Sequence, residues 1–361
     1  MNAKLVQKKN EDKFYKKGDF WIRISLSILF LSIFFIVFFW CNGQLYFTKV
    51  NYVDDYRNFP FQVHIIDVEQ GDSFLIKFPN NQVMLIDCGT QDEGENVVRY
   101  VKAFFKNEGL NKIDYLLLTH QDADHVGGAT KVLSQINVEN LIRPKVVTES
   151  ESDLYPYYQV SQSQTYDTVI NLAYQNECNI IFGEKGLEYD FDSAVVEFLS
   201  PSQNYYSASN DYSAVVMITC QTKKFLFMGD ATKQIEQALI AEYGDYLKAD
   251  VLKVGHHGSS TSSSLEFLQI VQPEYAIISA REQSDFPSAQ VSNNLNSLNI
   301  DILSTANLNN IAITIYNNQI VYAKAIFPSS EFALLISIII IVLILTWGIK
   351  IKDNTNKKKQ K

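Results

Sequence analysis

The chain has 361 residues, 47% of them hydrophobic and 20% charged, with 15 Gly and 8 Pro. That composition excludes a disordered, collagenous or disulfide-scaffold protein and suffices for one large domain or two small ones. The formal net charge of −9 hides an uneven distribution, because 13 of the 31 basic residues lie in the first 23 and last 12 positions.

Residues 1–23 form a basic tail carrying Lys4, Lys8, Lys9, Lys13, Lys16, Lys17 and Arg23. Residues 24–41, ISLSILFLSIFFIVFFWC, hold no charge and are long enough to span a bilayer, with Trp21 and Trp40 at its interfaces. No small-residue cleavage site follows, so an uncleaved anchor is expected rather than a signal peptide. Residues 42–59 read as a linker, and 60–325 as one globular domain. Within it, runs rich in β-branched and aromatic residues predict strands at 61–67, 73–78, 83–87, 115–119, 195–199, 214–219, 225–228, 251–254, 275–279, 311–316 and 320–323. Helical periodicity falls at 95–106, 129–136, 166–175, 233–243, 264–270 and 289–298. Hairpins first, then strands alternating with helices, imply an α/β arrangement of sheets covered by helices.

A second uncharged run, 332–349, FALLISIIIIVLILTWGI, precedes a basic tail at 350–361. Two transmembrane helices with basic outer flanks place both termini in the cytoplasm and the intervening domain outside the cell membrane. Residues 24–349 hold 18 Lys and Arg against 36 Asp and Glu, a net charge of −18. Cys88, Cys178 and Cys220 have no CxxC spacing and are expected to be free, buried thiols.

The chemistry is concentrated just after strands. His120-Gln121-Asp122-Ala123-Asp124-His125 follows the apolar run YLLLT and precedes Val126-Gly127-Gly128, so four metal-ligating side chains fall within six residues. Imidazole and carboxylate are the ligands of catalytic Zn and of harder ions such as Mn. A capping turn would explain one or two of these residues but not both histidines. Asp230 ends FLFMGD, and His256-His257 end VLKVGHH. Four of the five histidines thus stand at strand ends, and His64, within FQVHIID, reads as a core residue.

The spacing His120-x-Asp122-x-Asp124-His125 resembles the HxHxDH motif of the metallo-β-lactamase superfamily. Together with Asp67-Val68-Glu69-Gln70-Gly71-Asp72-Ser73, Leu85-Ile86-Asp87-Cys88-Gly89, Met228-Gly229-Asp230 and Leu252-Lys253-Val254-Gly255-His256-His257-Gly258-Ser259, it resembles the hydrolase domain of the ComEC competence proteins. The resemblance implies a four-layer αβ/βα sandwich holding two divalent metal ions, Zn or Mn. His120 and Asp122 would belong to the first metal, Asp124 and His125 to the second, with Asp230 bridging. One of the final pair should complete the second site: His257 is favoured because Gly258 follows it, which leaves His256 as a catalytic donor beside the substrate. Asp124 would also orient the nucleophilic water, and Asp87 would fix a ligand imidazole through its other nitrogen. Asn210 and Ser213, in Asn210-Asp211-Tyr212-Ser213, match an N-x-x-S found beside such ligands. The chain departs from the pattern in three places: it has no third-motif histidine, Glu69 replaces a usual Gly, and Phe286-Pro287 stands where His-Pro is common.

These residues imply a membrane-anchored extracellular hydrolase using a metal-activated water, with a phosphodiesterase or nuclease of ComEC-like type expected. The charge of −18 opposes tracking along DNA, which calls for clustered Lys and Arg. It suits a cell-envelope phosphodiester better, and an ester, amide or lactone hydrolase is a further alternative. A third reading, motivated by the missing histidine, is a non-catalytic docking module for a separate DNA-uptake membrane channel. Lys253 could stabilise a leaving group or face solvent. The acidic stretch 148–153 is expected near the mouth, and Tyr155, Tyr157, Tyr158, Tyr205 and Tyr206 could stack on bases or sugars.

Overall fold

A computed structural model describes residues 59–325. The two expected spans at 24–41 and 332–349, their basic tails and most of the linker lie outside the described residues. Among the described residues no helix is long and apolar enough to cross a membrane.

Seventeen strands are described: β1 (Gln62–Ile65), β2 (Phe74–Lys77), β3 (Val83–Ile86), β4 (Lys112–Leu117), β5 (Asn137–Arg143), β6 (Val146–Val147), β7 (Gln159–Val160), β8 (Asn179–Phe182), β9 (Glu188–Asp190), β10 (Ala194–Ser200), β11 (Val215–Cys220), β12 (Lys223–Phe227), β13 (Val251–Lys253), β14 (Tyr275–Ile278), β15 (Asp301–Ser304), β16 (Ile311–Tyr316) and β17 (Gln319–Lys324). One eight-stranded sheet runs β17-β16-β1-β2-β3-β4-β5-β8, a seven-stranded sheet runs β15-β14-β13-β12-β11-β10-β9, and β6 pairs with β7. In the first sheet β3, β4, β5 and β8 are parallel, and in the second β12 to β15 are parallel.

The two large sheets face each other across one apolar core. Phe61 meets Phe225 and Phe74 meets Phe227, each with ring centroids 5.2 Å apart, and Phe78 stacks on Phe191 at 3.9 Å. Alternation turns neighbouring residues outward. Val63 and Ile65 join the core, while His64 points away and packs its ring 4.9 Å from Phe104 of helix α1 (Gly94–Glu108). His64 bonds Tyr100 Oη at 2.8 Å and Gln62 Oε1 at 3.0 Å, the satisfied core histidine that its setting suggested. Helices α2 (Ala123–Val126), α3 (Ala129–Gln135), α4 (Gln164–Gln175), α5 (Lys233–Tyr243), α6 (Leu265–Val271), α7 (Ala289–Ser297) and α8 (Thr305–Leu308) complete the α/β sandwich. Four of them start where a hydroxyl caps the first turn: Ser163, Thr232, Ser264 and Ser288 accept from Tyr166, Gln234, Phe267 and Val291 backbone N–H groups. Cys88, Cys178 and Cys220 are buried and free.

All eleven expected strands and six expected helices are present to within a few residues. The strands that were not expected are β5, whose Asn137, Glu139 and Asn140 interrupt it, the short edge strands β8, β9 and β15, and the two-residue pair β6–β7. Sheet edges bury one face less completely and tolerate polar residues.

Within the acidic stretch 148–153, Glu149 and Asp153 are exposed and Glu151 is turned inward. Glu151 is buried, receives both terminal nitrogens of Arg143 at 2.9 and 2.6 Å, and accepts from Tyr174 Oη at 2.6 Å. It also forms a capping box with Thr148. Burial alone would raise its pKa, but Arg143, Tyr174 and the Thr148 amide outweigh that and bring it down to about 2. A carboxylate lowered in the folded state stabilises above its unfolded pKa and loses that contribution on acidification. Stability carried by this pair should therefore fade as pH drops from about 4.5 to about 2. Glu151→Gln is expected to flatten chemical denaturation midpoints over that window, and an unchanged acid slope would refute the pairing. Of the aromatic residues, Tyr157 (82% exposed) and Tyr205 (64%) reach solvent, whereas Tyr206 is buried and Tyr155 stacks on Tyr158.

Candidate metal centre

The polar cluster lies beyond the carboxyl ends of parallel strands in both sheets, the place where open α/β sheets bind ligands. Asp87 follows β3, His120 follows β4, Asp230 follows β12, and His256 and His257 follow β13. Several of these turns are held in the left-handed backbone region: φ is 57° at Asp87, 48° at His256 and 53° at His257. Non-glycine residues seldom adopt it, and such strain is characteristic of functional turns. Glu69 is likewise at 58°, in the conformation that the more usual Gly would adopt freely. Gly71 is obligatory for contact: a Cβ there would come 2.1 Å from the Asp124 carbonyl oxygen.

Hydrogen bonds fix each ring. His125 Nδ1–H donates to Asp87 Oδ2 at 2.8 Å, as expected of Asp87. Thr119 Oγ1 donates to the same oxygen at 2.6 Å, so it accepts from His120 Nδ1–H at 3.0 Å. His257 Nδ1–H donates to the Ser279 carbonyl at 3.0 Å. In all three rings Nε2 is the nitrogen turned inward. Nε2 of His120, His125 and His257, with Asp230 Oδ1, are buried and have no hydrogen-bond partner among the described residues. Four buried polar atoms without a hydrogen bond converging in one pocket are costly unless something binds them.

Their spacing fits a divalent cation. His125 Nε2 lies 3.3 Å from Asp230 Oδ1, and His257 Nε2 lies 3.3 Å from Asp124 Oδ2 and 3.5 Å from Asp230 Oδ2. Ligands about 2.0–2.1 Å from a tetrahedral Zn are separated by roughly 3.3–3.4 Å. The ligand atoms of Asp124, His125 and His257 lie within 4.8 Å of one another, as do those of His120, His125 and Asp230.

The first position is looser. His120 Nε2 is 3.7 Å from Asp122 Oδ2 and 4.0 Å from Asp230 Oδ2. Asp122 is 39% exposed, accepts from Ser209 Oγ at 3.3 Å, and joins none of the compact clusters among the described residues. His256 keeps 28% exposure, its Nε2 3.7 Å from Asp230 Oδ2 and its Nδ1 3.2 Å from Asn210 Nδ2, while Phe286 packs its ring 6.1 Å away. Ser213 Oγ accepts from the Asp230 backbone N–H at 3.0 Å. Asn210 and Ser213 are thus both beside the cluster.

The field in the pocket is strong. Burial, reinforced by the charge of His125, lowers His120 to about 3, keeping it a neutral donor of its lone pair. Burial opposes protonation of His125 too, but Asp230 and Asp87 outweigh it and hold its pKa well above the imidazole range. A cation bound there would displace that proton. Asp230 is held well below the carboxylate range: burial raises it, and His125 and His257 overcome that. Asp124 is lowered in the same way by His257 and His125, whereas burial raises Asp122.

Two members of this cluster add to the sequence reading: Asp72 carried no assigned role there, and Lys253 was left between two. Asp72, in the loop before β2, shares a compact cluster with Asp230 and His257 and another with Asp87 and His125. Lys253 does not face solvent: it is 1% exposed, and its Nζ donates to Asp72 Oδ2 at 2.5 Å. The available signal was a lone lysine inside an apolar strand.

Sandwich, strand-end placement and convergent imidazoles together define a metallo-hydrolase scaffold. The chain belongs to the metallo-β-lactamase superfamily, whose pattern matches residues 66–280. It is similar to ComE operon protein 3 of Bacillus subtilis, 30% identical over 241 residues that cover 62% of this chain and 29% of that protein. It is similar also to competence protein ComA of Neisseria gonorrhoeae, 29% identical over 67% of this chain and 30% of the relative. Recombination protein 2 of Haemophilus influenzae is 27% identical over 73% of this chain and 30% of its own. The chain spans under a third of the length of these relatives.

Proposed function

We propose that this chain is a membrane-anchored, extracellular, metal-dependent phosphodiesterase. The observation that carries the reading is the set of three inward Nε2 atoms and Asp230 Oδ1, all buried and without a hydrogen bond among the described residues. Divalent ions held there, Zn or Mn, would lower the pKa of a water and polarise a phosphoryl oxygen. Asp124, His125, Asp230 and His257 would hold one ion, and His120, Asp122 and Asp230 the other. Asp124, one-third exposed, reaches the pocket mouth and orients the attacking water. His256, the most exposed of these histidines, faces the substrate side and donates to charge developing on the leaving oxygen. Asn210 orients that ring, and Phe286 shields it on one side. Similarity to competence proteins supports DNA as the polymer, while the charge of −18 between the two apolar runs favours short engagement over tracking.

The test is hydrolysis by the purified full chain, with Mn or Zn, of single-stranded DNA and of a small chromogenic phosphodiester in parallel. Metal-dependent cleavage of DNA is expected. Turnover of the small ester alone would move the substrate to envelope phosphodiesters, and inactivity on both would favour the docking module.

A further inference from the structure

We propose that Lys253 is a positioning residue, a built-in cation that holds Asp72 and Asp230 in place beneath the histidine cluster. The inference rests on the metal-dependent reading above. Lys253 ends β13 and is fully enclosed. Its Nζ donates to Asp72 Oδ2 at 2.5 Å and to the Gly229 carbonyl at 2.9 Å, and lies 3.7 Å from Asp230 Oδ1. The ammonium therefore ties together the loop before β2, the turn after β12 and the end of β13. By gripping the Gly229 carbonyl it fixes the turn that presents Asp230, whose φ is 51° at Gly229. Asp72 extends the grip, with Oδ1 3.6 Å from His257 Nδ1 and Oδ2 3.9 Å from His125 Nδ1.

Packing alone does not call for this residue, since an apolar side chain would fill the strand end without desolvating an ammonium. Charge does. Asp72, Asp87, Asp122, Asp124 and Asp230 bring five carboxylates to one pocket, and among the described residues Lys253 is the single lysine paired with them. With Lys253 in place, two divalent ions would neutralise the remainder. Without it the carboxylates farthest from solvent face one another unmatched.

The experiment compares thermal unfolding of the full chain as wild type, Lys253→Met, Asp72→Asn and the double variant, each with chelator and with Mn. In chelator, Lys253→Met is expected to unfold lower by roughly 10 °C, the effect of leaving a buried charge without its partner. Asp72→Asn in the same chain should recover at least half of that loss, because the unmatched carboxylate is gone. Mn should raise the unfolding temperature of Lys253→Met more than that of wild type, since the ion then neutralises more unmatched charge. A Lys253→Met chain as stable as wild type in chelator would overturn the proposal, as would a double variant no better than Lys253→Met. Should Lys253→Met fail to fold, a folded double variant supports the pairing and an unfolded one refutes it. If Mn leaves wild type unmoved, the metal-dependent reading fails, while the comparison in chelator still decides the role of Lys253.

Discussion

Asp230→Asn is expected to abolish metal-dependent turnover while leaving the fold intact. Among the described residues Asp230 is the one carboxylate within reach of all four histidines of the cluster, 3.3 Å from His125, 3.5 Å from His257, 3.7 Å from His256 and 4.0 Å from His120. Asparagine preserves its shape and the backbone N–H bond to Ser213, but removes the charge that two cations would share. Losing a partner one bond removed from a metal costs about 10–100-fold in affinity or activity, so losing a shared ligand should exceed about 100-fold in turnover. An initial-rate assay with saturating Mn, alongside circular dichroism to confirm folding, checks this. Wild-type turnover in a folded Asp230→Asn chain would refute the two-metal reading.

The adjacent histidines should separate in the same assay. His257 is buried, anchored by the Ser279 carbonyl, and 3.3 Å from Asp124, so His257→Ala is expected to weaken metal binding by more than about 100-fold. His256 is partly exposed and held by Asn210, so His256→Ala is expected to retain the metal yet lose about 10²–10⁴-fold in turnover, the range for a positioned proton donor. Metal titration followed by calorimetry distinguishes the two. Retention of metal by His257→Ala together with its loss from His256→Ala would exchange the roles assigned to the pair.

Much of the centre was legible in the sequence, because ligands at strand ends leave a local signature: an apolar run stops and a His or Asp follows within two or three residues. His120, Asp230 and His257 have it, His125 follows His120 by five residues, and the structure brings the four together. Asp87 was legible through its placement after VMLI, and it holds the His125 ring. The pairing of Asp72 with Lys253 was not legible, because it spans nearly two hundred residues and depends on the two sheets closing face to face. Local pattern cannot report which side of a three-residue strand such as β13 is enclosed. Asp122 is the least enclosed of the expected ligands: its backbone is extended, it accepts from the Ser209 hydroxyl, and its Oδ2 lies 3.7 Å from His120 Nε2. In the fold, buried strands were readable from their apolar runs, while the edge strands β8, β9 and β15 were not, since each spans only three or four residues and its apolar content is short or interrupted.

The most direct measurement is the metal content of the full chain after chelation and reconstitution with Mn or Zn, by elemental mass spectrometry, for wild type and Asp230→Asn side by side. The expected result is about two divalent ions per wild-type chain and a clear deficit in the variant. Equal content in the two proteins, or a wild-type chain that retains no metal, would contradict a centre built on Asp230 and the three inward imidazoles.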